Sequence, residues 1–143
     1  MKVEKNKLKG FIIVLLLFAL GCEADSYDTN REEFSDEVLR IAPIASITTA
    51  LIKNTGTVVV QSTKTGTVYL VNTTVTVSNL ASITGAADNL WNRVYISSAY
   101  TDTYLQATGL ADGTYKVYAV DSAGNLSNAS KNSVIVDLSL IHI

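Results

Sequence analysis

From Gly113 to Asp121 the chain reads Gly-Thr-Tyr-Lys-Val-Tyr-Ala-Val-Asp, and this alternation constrains the fold more than any other stretch. Successive side chains of a strand point to opposite faces, so Tyr115, Val117 and Ala119 share one face and Lys116, Tyr118 and Val120 the other. A lysine is rarely buried without a partner, which turns the Tyr115 face inward. Asp112-Gly113 forms a tight turn before the strand, Gly124-Asn125 reverses the chain after it, and Ser133–Val136 returns as the last strand.

The rest of the chain beyond Ala42 has the same character. Every glutamate lies before this point, the only proline is Pro43, and the residues after it are chiefly Thr, Ser, Val, Ile, Ala and Tyr broken by Gly and Asn. β-branched and aromatic residues fit a pleated, half-buried surface. Short runs of them between turn signals predict strands at Ile44–Ile52, Thr57–Ser62, Thr67–Val71, Val75–Val77, Arg93–Ser97, Tyr104–Ala107, Thr114–Val120 and Ser133–Val136. Asn54-Thr55-Gly56 and Lys64-Thr65-Gly66 are the turns flanking the second of these. Leu80–Asn92 reads as a loop with a helical turn, and Trp91 within it as a core residue. A length of about 95 residues with turns every 8–12 is the rhythm of an all-β sandwich.

The start of the chain has a different grammar. Lys2, Lys5, Lys7 and Lys9 form a basic region, Phe11–Leu20 is an unbroken apolar run, and Ala19-Leu20-Gly21-Cys22 closes it. A membrane span needs roughly 20 apolar residues, about twice this run. The pattern is that of a secretory signal, and it resembles a bacterial lipoprotein signal peptide. The resemblance implies cleavage after Gly21, leaving residues 1–21 as the signal and Cys22 as the lipid-modified N-terminus. The plainer alternative is an ordinary secreted chain with a free thiol. Cys22 is the only cysteine, so no disulfide within the chain and no Cys-x-x-Cys motif exists.

Residues 22–41 form an acidic tether, with Glu23, Asp25, Asp28, Glu32, Glu33, Asp36 and Glu37 set among polar residues. Such a composition buries too little apolar surface to offset the entropy of ordering. The whole chain carries a net charge of −2; beyond residue 21 seven basic and twelve acidic groups remain, a net charge of −5. That balance excludes the cationic footprint of a nucleic-acid-binding protein. By analogy with lipoprotein sorting rules, Ala24 in place of Asp favours the outer membrane or cell surface.

Gly109-Leu110-Ala111-Asp112-Gly113-Thr114-Tyr115 through Ser127, together with Ser133–Asp137, resembles the last two strands of bacterial immunoglobulin-like and fibronectin type III-like modules. Thr65–Asn72 and Ala81–Ser97 resemble other parts of such modules, so the likeness covers about Ile44–Asp137. It implies an immunoglobulin-like antiparallel β-sandwich over residues 42–137, of a kind that occurs in tandem in surface proteins. Tyr115, five residues after Leu110, resembles the tyrosine-corner position, where a phenol fixes a loop that crosses between sheets.

The final residues, Leu138-Ser139-Leu140-Ile141-His142-Ile143, break the pattern. They resemble, codon for codon, the translation of a transposon mosaic-end sequencing adapter, so residues 138–143 are read as a non-native tail and the protein as the N-terminal part of a longer one. The alternative is a genuine end that extends the last strand.

The sequence points to no catalyst. His142 is the only histidine, so no Ser–His–Asp or Cys–His arrangement can be built outside that tail, and neither a zinc-spaced His/Cys cluster nor a phosphate-cradling loop is present. No cofactor is implied apart from a structural Ca²⁺, for which Asp121, Asn125 and Asp137 are the candidate oxygen donors; the simpler role for Asp121 is to cap its own turn. Tyr95, Tyr100 and Tyr104 cluster in sequence, and with Tyr69 and Tyr118 they are candidates for a surface that stacks on sugar rings or a protein partner. The expectation is a non-catalytic surface protein, held to the membrane through lipidated Cys22, whose module is a stalk or adhesion unit toward a protein or glycan. The alternative is a carbohydrate-binding or accessory module of an envelope enzyme.

Overall fold

The computed structural model describes residues 41–140. The expected signal peptide, Cys22, the tether up to Arg40 and the last three residues of the tail lie outside them. The regular structure of the described chain is almost wholly strand: β1 Ala45–Ile47, β2 Ala50–Ile52, β3 Thr57–Ser62, β4 Gly66–Asn72, β5 Trp91–Ile96, β6 Thr103–Gln106, β7 Gly113–Asp121 and β8 Val134–Val136. A five-residue helix, α1 (Leu80–Thr84), and a 3-10 turn at Asp88–Leu90 lie between β4 and β5. Three strands form one sheet in the order β1-β3-β6, and five form the other in the order β2-β8-β7-β4-β5.

The two sheets face each other in a sandwich-like arrangement because one side of each strand is apolar. Val58, Val60 and Leu105 from the first sheet meet Val68, Leu70, Ile96, Val117 and Val134 from the second in a continuous buried core. Fully burying a side chain the size of leucine stabilises by roughly 1.5–3 kcal/mol. β7 follows the expected alternation: Tyr115, Val117 and Ala119 are buried in this core, whereas Lys116 and Tyr118 are half-buried on the outer face.

Three expectations are corrected. The single strand expected over Ile44–Ile52 is two short ones, which switch sheets at Thr48-Thr49: β1 runs antiparallel to β3, and β2 runs parallel to β8. Having crossed without reversing direction, the chain meets β8 running the same way, so the otherwise antiparallel pairing contains one parallel ladder. Val75–Val77 is not a strand. Its valines instead pack, with Ile83 of α1, onto the outer face of the five-stranded sheet against Tyr69, Val71 and Trp91. Trp91 accordingly opens β5 and is partly buried in this outer cluster rather than in the core between the sheets.

The helix that completes this covering segment is short but well capped. Asn79 Oδ1 accepts from the Ser82 N–H at 2.9 Å, while Ser82 Oγ accepts from the Asn79 N–H at 3.2 Å, a reciprocal capping box. At the other end of the chain, Asp137 takes the Ser139 N–H at 2.8 Å, so the residues after β8 turn away and the strand ends at Val136.

Candidate functional site

Asp121 closes β7 and lies next to Gly66, its partner in the β4–β7 register. Only Gly fits at position 66, because φ is +149° and an added Cβ would lie 2.1 Å from the Val120 carbonyl oxygen. This close approach brings the β3–β4 turn against the end of β7 and sets Lys64 Nζ 3.0 Å from Asp121 Oδ2. Asp121 Oδ1 accepts the N–H groups of Ala123 at 3.0 Å and Asn125 at 2.9 Å, and Asn125 Nδ2 lies 3.1 Å from Oδ1 and 2.9 Å from Oδ2. Lys64 also donates to the Ile41 carbonyl. Burial would raise the carboxyl pKa, but the Asn125 side chain and main chain together with Lys64 outweigh it and lower it from 3.8 to about 2.

Of the three expected calcium donors, the fold brings Asp121 and Asn125 together and leaves Asp137 apart. Gly113 at the start of β7 pairs with Val136, so Asp137 sits at one end of the sheet and Asp121 at the other. At about 3.4 Å per residue, the length of β7 separates them by about 27 Å, beyond any shared ion. The oxygens of Asp121 face amide and ammonium donors, and among the described residues no three His, Cys, Asp or Glu side chains gather. Asp137 is held by the Ser139 hydroxyl and N–H, which lower its pKa.

The tyrosines divide. Tyr95, Tyr100 and Tyr104 are 65%, 71% and 69% exposed. Tyr95 pairs with Thr67 on the outer face of β5, and Tyr104 pairs with Val59 on the outer face of β6 in the other sheet, so these two stand on opposite sides of the sandwich. Tyr100 lies in the loop between them at φ 59°, its N–H bonded to the Ser62 carbonyl at 2.8 Å. The three therefore do not share a single platform. Tyr69 and Tyr118 are cross-strand partners on the outer face of the larger sheet. Tyr69 is buried there against Trp91, ring centroids 5.9 Å apart, and Tyr118 is half-buried, which raises its pKa.

Tyr115 is wholly buried and donates its hydroxyl to the Ala111 carbonyl at 2.8 Å, with the Asn89 carbonyl also within 3.3 Å. Burial, partly offset by hydrogen bonding to Asn72 and Ala111, pushes its pKa up. Sequence reasoning missed Lys64, whose partner is 57 residues away. It also missed Ser127 and Ser130. Their hydroxyls accept the N–H groups of Ala119 at 2.8 Å and Val117 at 3.0 Å, so residues 127–130 continue the sheet beside β7 in place of a regular strand. The Ser-x-x-Ser spacing after the Gly124-Asn125 turn is the only signal that points to it.

Comparison of the chain with protein-family models, with curated proteins and with solved structures finds no match.

Proposed function

We propose that this is a non-catalytic, lipid-anchored protein of the cell envelope, whose immunoglobulin-like module acts as a stalk or adhesion unit on the outer side of the membrane and forms the N-terminal part of a longer, multi-module protein. The observation that carries the reading is the apolar run Phe11–Leu20 ending at the sole cysteine, Cys22, ahead of a polar linker and an all-β module. Support for the immunoglobulin-like assignment comes from the sheet order, from the first segment that switches between sheets, and from the phenol of Tyr115 on the loop that crosses from β6 to β7. A single acyl chain holds a protein only weakly and stable attachment takes a second signal; the resemblance to bacterial lipoproteins implies more than one chain on Cys22.

A second reading, a carbohydrate-binding module serving an envelope enzyme, is favoured by the exposure of Tyr95, Tyr100 and Tyr104. Immobilised glycan arrays test this second reading: glycan binding that is lost in Tyr100→Ala and Tyr104→Ala supports it, and no glycan binding refutes it. Anchoring itself is tested by metabolic labelling with radioactive palmitate in an expressing bacterium. The wild-type chain is expected to take up label and Cys22→Ser to take up none; equal labelling would refute the anchor.

A further inference from the structure

The outer face of the smaller sheet carries a row of polar side chains across all three of its strands. Ser46 of β1 pairs with Gln61 of β3. Continuing the β3–β6 register by one residue sets Gln61 beside Asp102, and there Gln61 Nε2 donates to Asp102 Oδ1. The bond uses one carboxylate oxygen and one amide hydrogen, so Asp102 keeps an acceptor and Gln61 keeps both a donor and an acceptor. Two residues along each strand, about 7 Å away, a second row holds Thr48, Val59 and Tyr104. Tyr104 is directly opposite Val59, a spacing that sets Cβ atoms about 4.5–5.5 Å apart in antiparallel strands.

A groove of about 520 Å³ lies along this face, with Ser46, Thr48, Val59, Gln61, Asp102 and Asn132 among its lining. The exposed ring of Tyr104 borders it beside Val59. Asn132 is fixed at the rim by its Nδ2, which donates to Ile47 O at 3.2 Å, and this leaves its side-chain oxygen to accept. What the face offers defines the occupant. β3, along its middle, is paired on both sides, so recognition falls to side chains rather than to main-chain bonding with an added strand. Those side chains are chiefly hydroxyls, amides and one carboxylate. Asp102 is the only charge in the lining, which repels an anionic ligand, and among the described residues no three acidic side chains gather to hold a metal ion. A ligand that is uncharged, dense in hydroxyls and able to lay a C–H face on an aromatic ring meets these terms.

We propose that this groove binds a neutral sugar residue of a glycan. Adjacent hydroxyls of the sugar ring bond to the Gln61–Asp102 pair, which is already oriented by its own hydrogen bond, while the C–H face of the ring packs on Tyr104. The proposal rests on the second reading above, glycan recognition, and deepens it by placing the sugar on the smaller sheet, on the side of the sandwich opposite Tyr95.

The test uses the full chain, titrated with maltohexaose, mannohexaose and xylohexaose as neutral probes and a galacturonate hexamer as the anionic one, and followed by amide chemical shifts. At least one neutral hexamer is expected to bind and to shift Ser46, Gln61, Asp102 and Tyr104. Gln61→Ala, Asp102→Ala and Tyr104→Ala should each weaken it by about tenfold or more, whereas Tyr95→Ala should leave it unchanged. All four substitutions are at positions with solvent exposure, and thermal melts verify that the variants fold. The galacturonate hexamer should bind far more weakly, because its carboxylates face Asp102. Shifts confined to the face of Tyr95, galacturonate binding as tight as that of the neutral probe, or glycan binding lost in Tyr100→Ala but kept in Gln61→Ala and Asp102→Ala would overturn this site and leave the second reading standing. No binding of any neutral hexamer at millimolar concentration would overturn both.

Discussion

Tyr115 donates its hydroxyl to the main-chain oxygen of Ala111, four residues upstream, at 2.8 Å, and so ties the interior of β7 to the loop that delivers the chain from one sheet to the other. The ring is wholly buried, so the hydroxyl has no access to bulk water. Tyr115→Phe keeps the packing and removes the bond. It should cost about 1–2 kcal/mol and lower the melting temperature by several degrees with the fold intact. An unchanged melt would show that the phenol does not hold the loop.

Asp121 gives the module a defined acid response. Its pKa falls from 3.8 to about 2 on folding, so the stability it contributes is present above about pH 4 and is lost as pH falls from there through about 2. The carboxylate is buried but its Lys64 partner is partly exposed, so solvent screens the pair and the amount is on the order of 1 kcal/mol. Urea titrations of wild type and Asp121→Asn between pH 6 and pH 2 should therefore differ most at the upper end and converge at the lower. A constant gap across the range would mean that the carboxylate's charge is not what stabilises the turn.

The two faces of β7 respond differently to charge. Val117→Asp places an unpaired carboxylate in the core between the sheets and should cost several kcal/mol, comparable to the entire stability of a small domain. Lys116→Asp, on the half-buried outer face, should cost less than about 1 kcal/mol. Circular dichroism melts of both variants check this, and equal damage would contradict the register.

Much of this was legible because alternation and turn chemistry are local. Asp112-Gly113 and the Tyr115-Val117-Ala119 face are written within nine residues, and the structure has the strand they predict. Alternation reports that a face is covered, not what covers it. Val75 and Val77 alternate like a strand but lie against the outside of the larger sheet, and Trp91 packs with them. A second apolar layer made by a connecting segment has no periodicity that distinguishes it from the core. The break at Thr48-Thr49 was hidden for a similar reason, since β-branched residues continue through it without a Gly or Pro. The ion pair of Lys64 with Asp121 depends on a register between elements far apart in sequence, which only the folded sheet supplies.

Gly66 and Gly109 separate steric contact from backbone strain. Both have positive φ, +149° and +82°, but a Cβ on Gly66 meets the Val120 carbonyl oxygen at 2.1 Å, whereas one on Gly109 meets nothing within 4 Å. Gly66→Ala should cost about 3 kcal/mol or more, because β4 must move away from β7. Gly109→Ala should cost only the conformational term, roughly 1–2 kcal/mol. Chemical denaturation of the two variants measures the difference, and similar losses would show that β4 and β7 are not in close contact at that point.

Anchoring at Cys22 is the premise of the proposed function, and the intact mass of the protein extracted from bacterial membranes with detergent addresses it most directly. The expected species begins at Cys22, lacks residues 1–21, and exceeds the mass of its polypeptide by a glyceride and its acyl chains, with the excess lost on Cys22→Ser. A chain that begins at Met1, or one cleaved elsewhere with no added mass on Cys22, would contradict it.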